Sequence, residues 1–102
     1  MAVAKVRAFE LPGYEAWFNS GDHLPPHFHL EKAGGAWEIK VNFMRHPDEM
    51  CEIVRPKFPK KKGDRPRKSE LREIAKAAEE HRAELLEQYE QDVVVNDPGP
   101  ER

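Results

Sequence analysis

The chain of 102 residues contains one cysteine, Cys51, which excludes an internal disulfide and fits a reducing compartment. With one thiol, no cysteine pair can complete a structural zinc pattern. Long apolar runs are missing too. Met1 to Arg7 alternates instead, so no secretion leader is expected, and nothing approaches the length of a membrane span. Net charge is small, −2, yet 35% of the residues are charged against 38% hydrophobic. That balance is polar for a globular chain but too regularly patterned for a disordered one. The length fits one domain with a modest core, expected over residues 1–92, with 93–102 as a frayed tail.

The small net charge hides an uneven spread. Residues 1–54 carry a net of −3, residues 55–68 a net of +7, and residues 69–102 a net of −6. A basic block between two acidic ones invites a polyanion, or an acidic surface on the same or another chain. Within that block Pro56, Pro59, Gly63 and Pro66 predict an extended loop over regular helix. Lys57, Lys60, Lys61, Lys62, Arg65, Arg67 and Lys68 are its candidate contacts to an RNA or DNA backbone, with Phe58 as its one aromatic. A solvated linker, or a segment folding over the acidic helix, would have the same composition.

Chemistry concentrates in His23-Leu24-Pro25-Pro26-His27-Phe28-His29-Leu30-Glu31, which holds three of the five histidines. As a strand, residues 26–31 place His27, His29 and Glu31 on one face and Phe28 and Leu30 on the other. Two such histidines stand roughly 6.5–7 Å apart at Cβ, two strand rises. They could ligate one metal ion or bracket one phosphate or carbonyl. The prolines fix their own φ angles and stiffen the lead-in that presents His23, and Asp22 is a candidate to orient it. Three readings follow. His23, His27 and His29 are catalytic acid–base groups; or they hold a divalent metal, zinc first among candidates; or they form a polar strand face bonded to neighbours and water.

Around this stretch the chain alternates. Val3 to Glu10 predicts a strand, Leu11-Pro12-Gly13 a turn, and Tyr14 to Asn19 an aromatic strand completing a hairpin. Trp17 and Phe18 point to opposite faces, at least one into the core. After the Gly34-Gly35 turn, Ala36 to Phe43 is the clearest strand, with Trp37, Ile39, Val41 and Phe43 along one face. Pairing it with the histidine strand puts Glu38 and Lys40 on the histidine face. Glu38 is therefore a candidate further ligand, general base or histidine orienter, beside the simpler reading of a solvated carboxylate. His46 precedes a proline and reads as a loop residue. Met50 to Val54 is a short strand, with Cys51 a small core residue rather than a nucleophile.

Ser69 is the expected N-cap of a helix running to about Gln91. Leu71, Ile74, Ala75, Ala78, Leu85, Leu86 and Tyr89 form its buried stripe. His81 falls inside the stripe and should face the sheet, either approaching the histidines as a further ligand or satisfied in the core.

The stretch from Tyr14 to Phe43 resembles the bacterial family known as domain of unknown function 4160. Trp17-Phe18, Asp22-His23, Pro25-Pro26-His27-Phe28-His29 and Gly34-Gly35 carry the resemblance, and Glu80-His81-Arg82 and Glu84-Leu85-Leu86 extend it over most of residues 4–91. The family usually has a tryptophan near the middle of its helical segment and another near its end; here Ala77 or Ala78 and Tyr89 stand there. The resemblance implies a small cognate protein partner in a toxin–antitoxin-like pair, and a nucleic-acid target.

The expected fold is α+β: a curled antiparallel sheet of four or five strands packed against one long C-terminal helix, with a break near His81 as its variant. The function expected first is a cytoplasmic, toxin-like protein acting on RNA or another phosphate-bearing substrate through its histidines. Metal-dependent hydrolysis or metal binding, and a non-catalytic interaction domain, stand beside it. Strand pairing with a partner, or with a second copy as a homodimer, suits short edge strands.

Overall fold

The computed structural model describes residues 3–7, 10–19, 25–58 and 60–94. Five strands form one antiparallel sheet in chain order: β1 (Val3–Lys5), β2 (Tyr14–Asn19), β3 (Phe28–Lys32), β4 (Glu38–Val41) and β5 (Cys51–Arg55). Every neighbour is also the next strand in sequence, with a 3₁₀ turn over Pro47–Glu49 between β4 and β5, so each connection closes a short loop, the least costly way to build a sheet. Gly13, Gly34 and Gly35 adopt φ of 88°, 91° and 75° at the two tight turns, a region closed to most side chains.

Alternation along these strands sorts the side chains. Phe18, Phe28, Leu30, Trp37, Ile39, Val41 and Phe43 are all at most 1% exposed and face the helices. Phe18 meets Phe28 and Phe43 edge-on at 6.3 and 6.4 Å, and Phe28 stacks on Phe43 at 6.1 Å. Burying each such ring contributes roughly 1.5–3 kcal/mol. Of the early strand, Ala8 and Phe9 lie outside the described residues.

The single long helix expected over 69–91 is instead two, α1 (Lys68–Glu80) and α2 (Arg82–Tyr89), followed by one π-helical turn over Glu90–Val94. His81 makes the break: its φ of −109° and ψ of 20° leave the helical region, ending α1 and starting α2. Arg82 fixes the new direction, its Nε donating to the Phe43 carbonyl at 2.7 Å and its Nη2 to the Arg45 carbonyl at 3.2 Å. The predicted stripe is met by Ile74, Ala75, Ala78, Leu85 and Tyr89, which are buried, and by Leu71 and Leu86, which are partly buried against them. Tyr89 packs edge-on to Phe18 and Phe43 at 6.0 and 6.3 Å, so an aromatic still closes this end of the core.

Ser69 is not the N-cap. The cap is Arg67, because Glu70 at the third helical position reaches back to accept from the Arg67 backbone N–H at 2.9 Å. Arg67 and Lys68 thus belong to the helix start rather than to the loop. Among the described residues, no helix is long and apolar enough to cross a membrane.

Candidate functional site

The helices cover only one face of the sheet. On the other face, Trp17 of β2 lies opposite His29 of β3, which lies opposite Lys40 of β4, while Glu31 lies opposite Glu38. Trp17 and His29 stack nearly parallel, centroids 5.7 Å apart and planes at 17°. The His27 ring meets His29 edge-on at 5.2 Å. The two histidines predicted to share a face do so, at contact distance. His23 lies outside the described residues.

The hydrogen bonds decide which nitrogens are basic. His27 Nδ1 is 2.9 Å from the Pro25 carbonyl oxygen. A carbonyl only accepts, so Nδ1 carries the proton and the neutral ring keeps its lone pair on Nε2. The Pro-Pro lead-in therefore sets the His27 tautomer as well as its approach. His29 Nδ1 is 3.3 Å from Glu38 Oε2, a charge contact outside good hydrogen-bond alignment that favours the proton on Nδ1 in the same way. His27 is 6% exposed, and the His29 and Glu38 side chains are 13% and 16% exposed. Water screens such groups weakly, so their mutual orientation matters more than at an open surface.

Glu38 is not a solvated carboxylate. Its Oε1 accepts from Arg55 Nε at 3.2 Å, while Arg55 Nη1 donates to the Gly35 carbonyl at 3.0 Å and Nη2 to Glu31 Oε2. A slip in the β4–β5 register puts Arg55 there. Ile39 pairs with Ile53 but Glu38 with Arg55, leaving Val54 without an opposite number. In a regular strand Ile53 and Arg55 would share a face; the extra residue turns Arg55 onto the histidine face. The result is a continuous chain from His27 and His29 through Glu38 and Arg55 to Glu31. Beside it, Trp17, Glu31, Lys5 and Glu15 border an open cleft of about 640 Å³.

The strand pairing expected from the sequence brings His27, His29 and Glu38 together, while Arg55 and the Trp17 stack were not legible there. The Ile53-Val54 pair, which interrupts the alternation of β5, is the one trace of the bulge in the sequence. His81, expected to face the sheet, is instead one-third exposed on the helix layer, its Nδ1 3.1 Å from Glu84 Oε2. The sheet lies between it and His29. Among the described residues no three His, Cys, Asp or Glu side chains converge as metal ligands do. His27 and His29 could supply two imidazoles to a metal, with His23 as the remaining histidine of the stretch.

The basic loop forms a compact 3₁₀ turn over Lys62–Asp64. Asp64 Oδ2 accepts from the Lys60 and Lys61 backbone N–H groups at 3.1 and 3.2 Å. Lys57, Lys60, Lys61, Arg65, Arg67 and Lys68 are exposed, as is Phe58 at 85%.

Among the described residues three titratable groups are displaced from their ordinary range: burial and the neighbouring Glu70 carboxylate push the Tyr14 hydroxyl up, and Cys51 and Glu70 shift as well. Burial pushes the Cys51 thiol up to about 11, which suits an inert core-edge residue. Burial would also raise Glu70, but hydrogen bonds from Lys32, the Arg67 backbone and Tyr14, with the Lys32 charge, outweigh it and hold the carboxyl at about 2. Lys32 Nζ and Tyr14 Oη lie 2.6 and 2.7 Å from Glu70 Oε2, tying the first turn of α1 to β2 and β3.

No curated protein and no solved structure matches the chain. A family model described as Domain of unknown function (DUF4160) matches residues 13–90, more than half of its length. By that match the chain belongs to the DUF4160 family.

Proposed function

We propose that the protein is a toxin-like, histidine-dependent ribonuclease of the cytoplasm, held in check by a cognate partner. The observation that supports the chemistry is the pair of imidazoles at 5.2 Å, with His27 Nδ1 hydrogen-bonded to the Pro25 carbonyl and His29 Nδ1 in charge contact with Glu38 at 3.3 Å. His29 Nε2 takes the proton of a ribose 2′-hydroxyl. The oxygen attacks the adjacent phosphorus, and the departing 5′-oxygen receives a proton from the second, protonated histidine, His27 or His23. The products are a 2′,3′-cyclic phosphate and a 5′-hydroxyl. Glu38 stabilises the imidazolium that forms on His29, and Arg55 holds Glu38 in place. Trp17 offers a stacking surface beside the cleft, and Lys57, Lys60, Lys61, Lys62, Arg65, Arg67 and Lys68 hold the backbone. The partner rests on the resemblance set out above.

The test is cleavage of a single-stranded RNA, and of the same sequence as DNA, by partner-free protein in excess chelator. RNA cleavage lost in His29→Asn and His27→Asn, with DNA untouched, is the expected result. RNA left intact by the wild-type protein, or cut equally by folded variants, overturns the reading.

The same tautomers favour a second reading. Nδ1 bonds to a carbonyl and a carboxylate are what orient metal-ligating imidazoles, so Nε2 of His27 and His29, with His23, would hold a divalent ion such as zinc. Elemental mass spectrometry of the untagged protein separates the two: a stoichiometric metal lost in the His27→Ala/His29→Ala double variant supports this reading, and its absence in the wild type removes it.

A further inference from the structure

The groove between β5 and α1 lies on the helix side of the sheet, away from His29, and does not depend on the histidine chemistry. β5 ends the sheet, and among the described residues no further strand pairs with its outer edge. A terminal strand presents a row of N–H and C=O groups ready to accept another. Between the charged Glu52 and Arg55 it exposes two apolar side chains, Ile53 and Val54, at 45% and 41%. Ile53 follows Cys51 on the face turned toward α1. There a groove of about 570 Å³ has Cys51, Leu71 and Ala75 among its apolar lining. Lys68, Arg72 and Lys76, spaced four apart on α1, form a basic row along its wall, and Asp48 and Glu79 stand in it too. The basic loop joins the end of β5 to the start of α1, so further cations hang at the Lys68 end.

From this juxtaposition of a free apolar strand edge and a basic helix row, we infer that β5 and α1 form a docking groove for an extended acidic segment of a partner protein. The segment adds a sixth strand beside β5. Its apolar side chains enter the groove over Cys51, Leu71 and Ala75, and its carboxylates meet Lys68, Arg72 and Lys76. A second copy of this chain is a poor occupant. Pairing β5 with β5 would bring two blocks of net +7 together.

The test uses ¹⁵N-labelled full-length protein and synthetic ten-residue peptides alternating glutamate with valine or isoleucine. Controls are the same peptides with lysine for glutamate, and with alternate backbone nitrogens methylated. The expected result is amide shifts over Cys51–Arg55 with the acidic peptide, and affinity weakened about tenfold or more by backbone methylation or by Arg72→Glu/Lys76→Glu. Both substitutions lie on the exposed side of α1, and an unchanged circular dichroism spectrum confirms the fold. No shifts at β5, or equal binding of acidic and lysine peptides, overturns the inference. A dimer that forms through β5 in the absence of peptide overturns it as well.

Discussion

Glu38 stands between His29 and Arg55, its two carboxylate oxygens divided between them at 3.3 and 3.2 Å. One oxygen orients the imidazole and the other is fixed by a guanidinium. Glu38→Gln keeps the shape but removes the charge that stabilises a protonated His29. RNA cleavage should fall about 10²-fold or more, with unchanged RNA binding. Single-turnover cleavage rates alongside filter-binding affinities distinguish loss of chemistry from loss of binding. Equal losses in both would assign Glu38 to binding instead.

Arg55 neutralises two carboxylates that would otherwise face each other, Glu31 and Glu38. Arg55→Leu should cost about 1–2 kcal/mol in urea unfolding, the modest size reflecting a side chain that is partly exposed. Adding Glu31→Gln should restore part of that loss, because it removes one of the two stranded charges. Additive costs in the double variant would mean that the pair does not interact.

The basic loop should act through charge alone. Replacing Lys60, Lys61 and Arg65 with alanine should weaken RNA binding across sequences and reduce the slope of log affinity against log salt by about two. An unchanged slope would remove these side chains from the interface.

Acid should release the first turn of α1. The Glu70 carboxyl is held at about 2 in the fold against an ordinary value of 4.5. A depressed carboxyl contributes its stability above the unfolded value, and that contribution is lost as pH falls from about 4.5 toward 2. Allowing for solvent screening, it is about 1–2 kcal/mol. Glu70→Gln should therefore be less stable than wild type at neutral pH, with the two curves converging toward pH 2. Parallel stability curves across that range would contradict the assignment.

Strong period-two alternation made much of this fold legible in the sequence. Trp37, Ile39, Val41 and Phe43 identify β4 and its buried face, and pairing with β3 then places His29 and Glu38 together. The helical stripe from Ile74 to Tyr89 is read equally well, because three–four spacing survives a one-residue break. The break itself depends on His81 dihedrals and on Arg82 reaching the Phe43 carbonyl, a tertiary contact between residues 39 apart in sequence. Arg55 was hidden by the β4–β5 slip, since a bulge reverses the face that alternation assigns. The cap was misplaced because a serine beside the helix start is a strong local signal, and the Glu70 carboxylate satisfied the backbone at Arg67 instead.

The most direct test of the site is a two-bond proton–nitrogen imidazole spectrum of the labelled protein in mildly alkaline buffer, where unperturbed imidazoles are neutral. His27 and His29 should both appear with the proton on Nδ1, and Glu38→Gln should disturb the His29 pattern alone. Either ring found with its proton on Nε2 would contradict the arrangement, because the nitrogen needed for proton transfer or metal ligation would already be occupied.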